Sequence, residues 1–396
     1  MLYRPGFAFL VVSSVVLAAS AQKPARKPAP HFTAPAAFES AAARAAAARE
    51  GGRTGEAIEL YRSAVGLRAS WAEGWWHLGT LYYDSDQYTH GSEAFARFVK
   101  LEPKAGPGFG MLGLCEFQLE RYSGALAAFM RARRLGLGEN GELSRVVRYH
   151  AAIVSTRLGM PEAALPILDL LAAEDANRGV AETPAMIEAF GLAGLCRRLL
   201  PAEIPEDKRE LVRMAGRARL YTTLNNRTEA FKLLDALAAA YPGEPGVHYL
   251  RGSVLISENA AAAVEEFERE LKVSPRDIPS RLQIALQHLA TGEHERGLPY
   301  AEQAVELAPQ NFAARTVLGR LLLSLEKTER AIAELERAAQ LAPESPDVHF
   351  SLGQAYALAG RAADAERERA AFRRLDALRQ AALKDAGIPA DEIRKP

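Results

Sequence analysis

The residues of this 396-residue chain that could do chemistry begin with a glycine motif, GFGMLG at positions 108–113. The pattern G-x-G-x-x-G is typical of loops that hold the pyrophosphate of a dinucleotide, and such a loop follows a hydrophobic strand and begins a helix. Here the preceding segment, SEAFARFVKLEP (92–103), has Ala94, Phe95 and Phe98 at helical spacing and ends in Pro103. These flanks argue against a dinucleotide site.

Other residues capable of catalysis or metal binding are scattered. The sequence has no H-E-x-x-H, C-x-x-C, G-x-S-x-G or phosphate-loop motif. His288 and His294 lie near a turn and are six residues apart, so they do not share a helix face. The acidic run VEEFERE (264–270) fits the solvated face of an amphipathic helix. We therefore predict no catalytic, cofactor or metal site, and a protein that is not an enzyme.

A spacing of 34 residues connects small, aromatic and proline positions along the chain. The step takes Leu78-Gly79 to Leu112-Gly113, and Phe95 to Phe129. It also relates Pro275, Pro309 and Pro343, Leu318-Gly319 and Leu352-Gly353, Ala331 and Ala365, and Ala304 and Ala338. Gly113 is thus a repeat position, and the match to a nucleotide loop is a coincidence.

The fullest unit spans residues 72–105. Its repeat positions are Trp75, Leu78, Gly79, Tyr82, Phe95 and Pro103. The first four fall at i, i+3, i+4 and i+7, which is one face of a helix. This pattern at this period resembles the tetratricopeptide repeat family, except that Gly91 stands where a small Ala is expected. The resemblance implies an all-α fold, a right-handed superhelical solenoid of stacked helix-turn-helix repeats.

The repeat register divides the chain into blocks. We predict an N-terminal block of repeats at 38–177, an irregular helical connector at 178–210, and a C-terminal block at 211–379. An apolar helix over 185–200 has no clear partner in the pattern, and residues 380–396 form a C-terminal cap or tail.

The N-terminus resembles an export signal. Residues 1–21 contain Arg4, an apolar run at 7–19 and the small-x-small site Ala19-Ser20-Ala21, and an uncleaved anchor is the alternative. A Pro-rich segment at 22–37 predicts an extended tether. We expect no membrane span after signal cleavage and a periplasmic or secreted protein in a bacterial cell envelope.

The charge balance limits the class of partner, and the cysteine content bears on disulfide formation. The 49 basic and 49 acidic residues balance, which argues against a nucleic-acid partner. The two cysteines, Cys115 and Cys196, lie in apolar helical stretches, and we expect both to remain unpaired.

The family resemblance implies a concave groove lined by the first helix of each unit. In unit 72–105 the groove positions are Trp76, Thr80 and Tyr83, and in the next unit they are Gly110, Leu114 and Phe117, with Gln118 beside them. Further candidates are Arg145, Arg148, Arg219, Tyr249, Ser253, Arg320, Phe350 and Gln354. The alternative is that Tyr83 and Phe117 only pack between adjacent units.

The implied function is a non-enzymatic adaptor or assembly scaffold that binds protein or peptide segments, with no cofactor. A glycan-binding subunit of a polysaccharide export or processing system is the alternative, because aromatic side chains and arginines also suit sugars and their acidic groups. The Lys and Asn positions by which some family members clamp a peptide carboxylate hold Trp76 and Thr80, or Gly110 and Leu114, so that activity is not implied.

Overall fold

The computed structural model describes residues 33–138 and 141–385, and their side chains at 36–138 and 141–381. These residues form nineteen α-helices and two 3-10 turns, and no strand occurs among them. Contacts divide the chain into two compact units, whose described parts are 33–138 and 141–385. The division falls within the predicted block 38–177.

The N-terminal unit consists of three helix pairs, in which each helix packs on the next along the chain. Its helices are α1 Thr33–Glu50, α2 Thr54–Leu67, α3 Ala72–Asp84, α4 Tyr88–Leu101, α5 Gly106–Gln118 and α6 Tyr122–Leu135. The first helix therefore includes residues 33–37 of the predicted tether, and the rest of the tether and the predicted signal peptide lie outside the described residues.

The C-terminal unit continues with consecutive helices packed on one another. Its first seven helices are α7 Gly141–Arg157, α8 Pro161–Ala176, α9 Pro184–Gly194, α10 Arg209–Thr223, α11 Arg227–Ala240, α12 Val247–Leu255 and α13 Ala260–Val273. The remaining six are α14 Ile278–Ala290, α15 His294–Leu307, α16 Phe312–Ser324, α17 Thr328–Leu341, α18 Pro346–Leu358 and α19 Ala362–Asp385.

The predicted register matches the helix boundaries in both units. The first helices of five repeats begin at Ala72, Gly106, Ile278, Phe312 and Pro346, and steps of 34 separate neighbouring repeats. The all-α fold of stacked helix pairs is thereby confirmed.

A left-handed residue ends the first helix of most repeats. Asp86, Glu120, Glu326 and Gly360 have φ between 57° and 72°. The residue after each donates its N–H to a carbonyl five residues back, as Gln87 does to Tyr82 at 2.8 Å. This bond satisfies a carbonyl that the helix end leaves free, and it sets the sharp turn into the second helix.

The glycine motif at 108–113 lies inside α5, so it forms no loop at a strand end. A Cβ at Gly113 would lie 2.6 Å from the ring of Phe129 on α6, and one at Gly79 would lie 2.9 Å from the ring of Phe95 on α4. Both rings are completely buried. These positions are therefore glycine because an aromatic ring from the second helix occupies the space that a Cβ would need.

The connector contains a helix whose partner the sequence did not reveal. The apolar helix predicted over 185–200 ends at Gly194 and packs on α10. A Cβ at Gly191 would lie 2.0 Å from the carbonyl oxygen of Val212, and one at Gly216 would lie 1.9 Å from that of Ile187. Two glycines thus let the backbones of α9 and α10 touch.

Candidate functional site

The candidate surface in the N-terminal unit is formed by α3 and α5, the first helices of neighbouring repeats, which contact each other. The hydroxyl of Tyr83 on α3 interacts with the side chain of Gln118 on α5. Burial raises the pKa of Tyr83 to about 12, so its hydroxyl stays protonated at neutral pH. The structure therefore brings these two predicted residues together across a repeat boundary.

Trp76 lies on the same helix as Tyr83 and is half-buried. Its ring packs on two phenylalanines of α4, with centroid distances of 5.6 Å to Phe95 and 5.2 Å to Phe98. Thr80, one turn on, donates its hydroxyl to the carbonyl of Trp76 at 2.7 Å. One face of the indole is thus anchored while part of the ring stays accessible.

On α5 the predicted groove residues separate into two groups. Phe117 is half-buried and Gln118 is exposed. Leu114 is only 4% exposed and Gly110 is also buried, so both lie in the core of the unit instead of lining a groove. Leu114 is therefore a correction to the predicted set, and its reason is that the hydrophobic core extends under this part of α5.

Sequence reasoning missed two tyrosines, Tyr88 and Tyr122. Together with Trp76, Tyr83, Phe117 and Gln118 they form what we call the aromatic surface of the N-terminal unit. Tyr88 packs edge-on against Tyr83 with a centroid distance of 5.5 Å, and Tyr122 packs in the same way against Phe117 at 6.1 Å. Each pair joins the end of a first helix to the start of the second. The step of 34 from Tyr88 to Tyr122 is the signal in the sequence that could have found them.

In the C-terminal unit, three predicted groove arginines are bound internally by carboxylates of α8. Arg145 forms a bidentate pair with Asp175, whose side chain is fully buried. Arg148 forms a bidentate pair with Glu174 at 2.6 and 2.8 Å. Arg219 donates to Asp169 at 3.1 Å. These guanidinium groups already have acidic partners within the chain.

Tyr249 lines a cavity of about 430 Å³ together with Cys196, Glu270 and Asp277. Burial raises the pKa of the Tyr249 hydroxyl and of the Cys196 thiol, so both groups are neutral. Glu270 accepts the backbone N–H of Gly246 at 2.8 Å, and Asp277 caps α14 through Ser280 at 2.7 Å. Ser253, on the same helix as Tyr249, donates to the carbonyl of Leu250.

The last predicted residues lie near the C-terminus of the described chain. Phe350 on α18 is 47% exposed and packs against Phe372 of α19 at 5.3 Å. Gln354, one turn on, and Arg320 on α16 are exposed.

Both cysteines are free thiols. Cys115 is completely buried, and a Cβ at Gly91 would lie 3.0 Å from its sulfur. The sulfur thus fills the space that explains why Gly91 replaces the Ala of the family pattern. Among the residues whose structure is described, no cluster of His, Cys, Asp and Glu could hold a metal ion, and no helix is long and apolar enough to cross a membrane.

The stacked helix pairs define the class of protein, an α-helical repeat protein. Family models for the tetratricopeptide repeat match residues 77–138 and 288–338, and a further model, described as TPR repeat, matches residues 319–360. The chain therefore contains tetratricopeptide repeats, and the first match covers most of the aromatic surface. None of the curated proteins compared with the chain matches it.

Several solved structures are similar to part of the chain. The MamA RS-1 ArsTM double mutant is 21% identical, covering 43% of this chain and 97% of its own, with a TM-score of 0.40. A crystal structure of MamA is 14% identical over 41% and 96%, with a TM-score of 0.38. MamA 41-end from Desulfovibrio magneticus RS-1 is 24% identical over 42% and 98%, with a TM-score of 0.34.

Proposed function

We propose that this protein is a non-enzymatic scaffold that binds segments of other proteins on the aromatic surface of its N-terminal unit. This surface consists of Trp76, Tyr83, Tyr88, Phe117, Gln118 and Tyr122. Solenoids of stacked repeats use extended surfaces of this kind for binding.

The observation that carries the proposal is the repeated aromatic pair. Tyr83 with Tyr88 and Phe117 with Tyr122 occupy the same place in two neighbouring repeats, and the Tyr83–Gln118 interaction connects them. Half-buried aromatic side chains held by their neighbours offer large rigid contact area at a small entropic cost, which is typical of residues that dominate binding energy.

The proposal is tested by capture of partners from an envelope extract with the full chain as bait. Replacing Phe117 and Gln118 with Ala should weaken capture of a specific partner by about 2 kcal/mol or more, since anchors contribute on that scale. Met130→Ala is a matched control, because this side chain on α6 is similarly apolar and 43% exposed but belongs to a second helix.

Unfolding must be measured on the same variants. Lost capture with an unchanged melting temperature supports the aromatic surface, whereas unchanged capture by the double variant contradicts it. A lowered melting temperature would show that Phe117 serves packing between repeats.

The ion pairs of the C-terminal unit favour a polypeptide over an acidic glycan as the partner. Arg145, Arg148 and Arg219 are neutralised by Asp175, Glu174 and Asp169, so they do not present free charge to sugar acids. Protease treatment of the captured material separates the two, because a protein partner disappears and a glycan does not.

The same proposal includes export to the cell envelope. Its support is the sequence pattern of residues 1–21, with an apolar run and a small-x-small site before Gln22. A periplasmic or secreted scaffold of this kind would meet its partners outside the cytoplasm.

A further inference from the structure

The fourth residue of several repeats donates a hydrogen bond backward along the chain. Arg281 donates to the carbonyl of Pro275 at 2.6 Å, and Arg315 donates to that of Pro309 at 2.8 Å. In the N-terminal unit Trp75 donates to Ala69 at 2.8 Å. In each case the acceptor lies six residues earlier, in the turn that follows the preceding helix. The side chain thus ties each repeat to the one before it.

Histidine occupies this position in two repeats. The Nε2 atom of His349 lies 3.0 Å from the carbonyl oxygen of Pro343, and that of His248 lies 3.3 Å from the carbonyl oxygen of Pro242. His248, Arg281, Arg315 and His349 follow one another at steps of 33, 34 and 34 residues. Phe109 and Met214 hold the same register position and have no group to donate.

The same side chains also reach an acidic or amide group on the second helix of their own repeat. Arg315 contacts Glu334, and Arg281 donates to Gln303 at 3.1 Å. The Nδ1 atom of His349 lies 2.6 Å from Glu368 Oε2, and that of His248 lies 2.7 Å from Glu266 Oε2. A cation therefore joins the preceding turn to the second helix in four repeats when the histidines are charged.

Both ring nitrogens of each histidine face an acceptor. A carbonyl oxygen and an ionised carboxylate accept hydrogen bonds and cannot donate. Both contacts are therefore hydrogen bonds only when both nitrogens carry a proton, which is the imidazolium form. Arginine in the equivalent place keeps its charge at every physiological pH, whereas histidine changes its charge between pH 5 and 8.

We propose that His349 and His248 are pH-dependent latches between repeats, whereas Arg315 and Arg281 are permanent ones. Below about pH 5 the imidazolium makes both hydrogen bonds. As the pH rises the ring loses a proton, one bond is lost, and the repeat is held less firmly to the preceding turn. The sign is fixed by the partners: both bonds require the imidazolium, so the latch is complete at low pH and one of its two bonds is lost as pH increases.

The charged surroundings make His349 the sharper case. Glu266, the partner of His248, also receives Arg251 at 2.8 Å and contacts Arg269, and Arg251 extends to Asp235 of α11. This carboxylate keeps partners when His248 is neutral. Glu368 has Arg367 at 3.2 Å as its other partner, and Arg367 is shared with Asp364. We therefore expect the larger effect at α18.

Hydrogen exchange of the full chain, read by mass spectrometry at about pH 5.5 and about pH 8, tests the latch. After correction for intrinsic exchange, protection of α18 should fall about tenfold between the two pH values, on the scale of one hydrogen bond. Protection of α16, which has the Arg315 latch and no histidine, should change much less. An equal response of α16 and α18 in the wild-type chain would overturn the proposal without any variant.

Two substitutions extend the test. His349→Arg copies the Arg315 latch and should hold α18 at its low-pH protection at both pH values, leaving the response of α12 unchanged. His349→Gln, which lacks the charge, should give α18 the weaker protection of the high-pH state at both pH values. A His349→Arg protein whose α18 responds to pH as the wild type does would exclude the latch.

Discussion

At the scale of single residues, the glycine that recurs in the first helix of a repeat has different neighbours in different repeats. In four repeats it packs against a large side chain of the second helix, which is Phe95, Phe129, Phe267 or Leu335. In the last repeat, a Cβ at Gly353 would meet nothing closer than 3.5 Å, because the equivalent residue of α19 is the exposed Arg369. The sequence pattern treats all five glycines alike, whereas packing requires only four.

Gly113→Ala should destabilise the N-terminal unit by about 1–3 kcal/mol, because its Cβ would lie 2.6 Å from the ring of Phe129 in a filled core. Gly353→Ala is the matched control and should be neutral or stabilise by up to about 1 kcal/mol, since Ala is the better helix former. Urea unfolding followed by helical circular dichroism measures both. Equal destabilisation by the two substitutions would contradict this account of the repeat glycine.

At the scale of helices, the 34-residue pattern predicted the helix pairs that pack through side chains. It missed the helix pair that packs through its backbones. The Gly79–Phe95 contact leaves a signature at a fixed spacing, which is why the register of 72–105 could be predicted. The α9–α10 contact leaves none, because Gly191 and Gly216 touch carbonyl groups that every residue has. The arginine pairs of α7 were also missed, since Arg145 and Asp175 are 30 residues apart.

Those pairs between α7 and α8 should differ in their contribution to stability. Arg145→Ala would leave the fully buried carboxylate of Asp175 without its cation, at a cost of about 3–5 kcal/mol. Arg148→Ala, one turn away, would release Glu174, whose side chain is 43% exposed, at a cost of about 0–1 kcal/mol.

Thermal unfolding of the two variants against the wild type checks this difference. If Arg148→Ala is as destabilising as Arg145→Ala, burial of Asp175 is not what makes the first pair important.

At the scale of the whole molecule, the repeat period predicted the class of fold, and the candidate surface was predicted in part. Trp76, Tyr83, Phe117 and Gln118 lie on α3 and α5 as the register requires. Leu114 shares that register but lies under the surface, because the period specifies a helix face and not the depth of the core beneath it. The repeat period does not specify which partner binds this surface.

Export of the whole chain is a separate prediction. Protein isolated from its own host should begin at Gln22, and intact-mass measurement decides this. Ala21→Leu should block processing because it removes the small residue at the cleavage site, whereas Ser20→Leu at the middle position should be processed normally. Wild-type protein that retains residues 1–21 would contradict the prediction.

The latch between repeats has a consequence for how such a chain can change its length. Its acceptor is a main-chain carbonyl, which any residue supplies, and its donor is the fourth residue of the following repeat. A duplicated segment of one period therefore carries its own joint with it and needs no complementary change in its neighbour. Arrays of this design can gain or lose whole repeats by recombination, and each new junction inherits a fixed connection, a pH-responsive one or none, according to the fourth residue of the repeat that follows it.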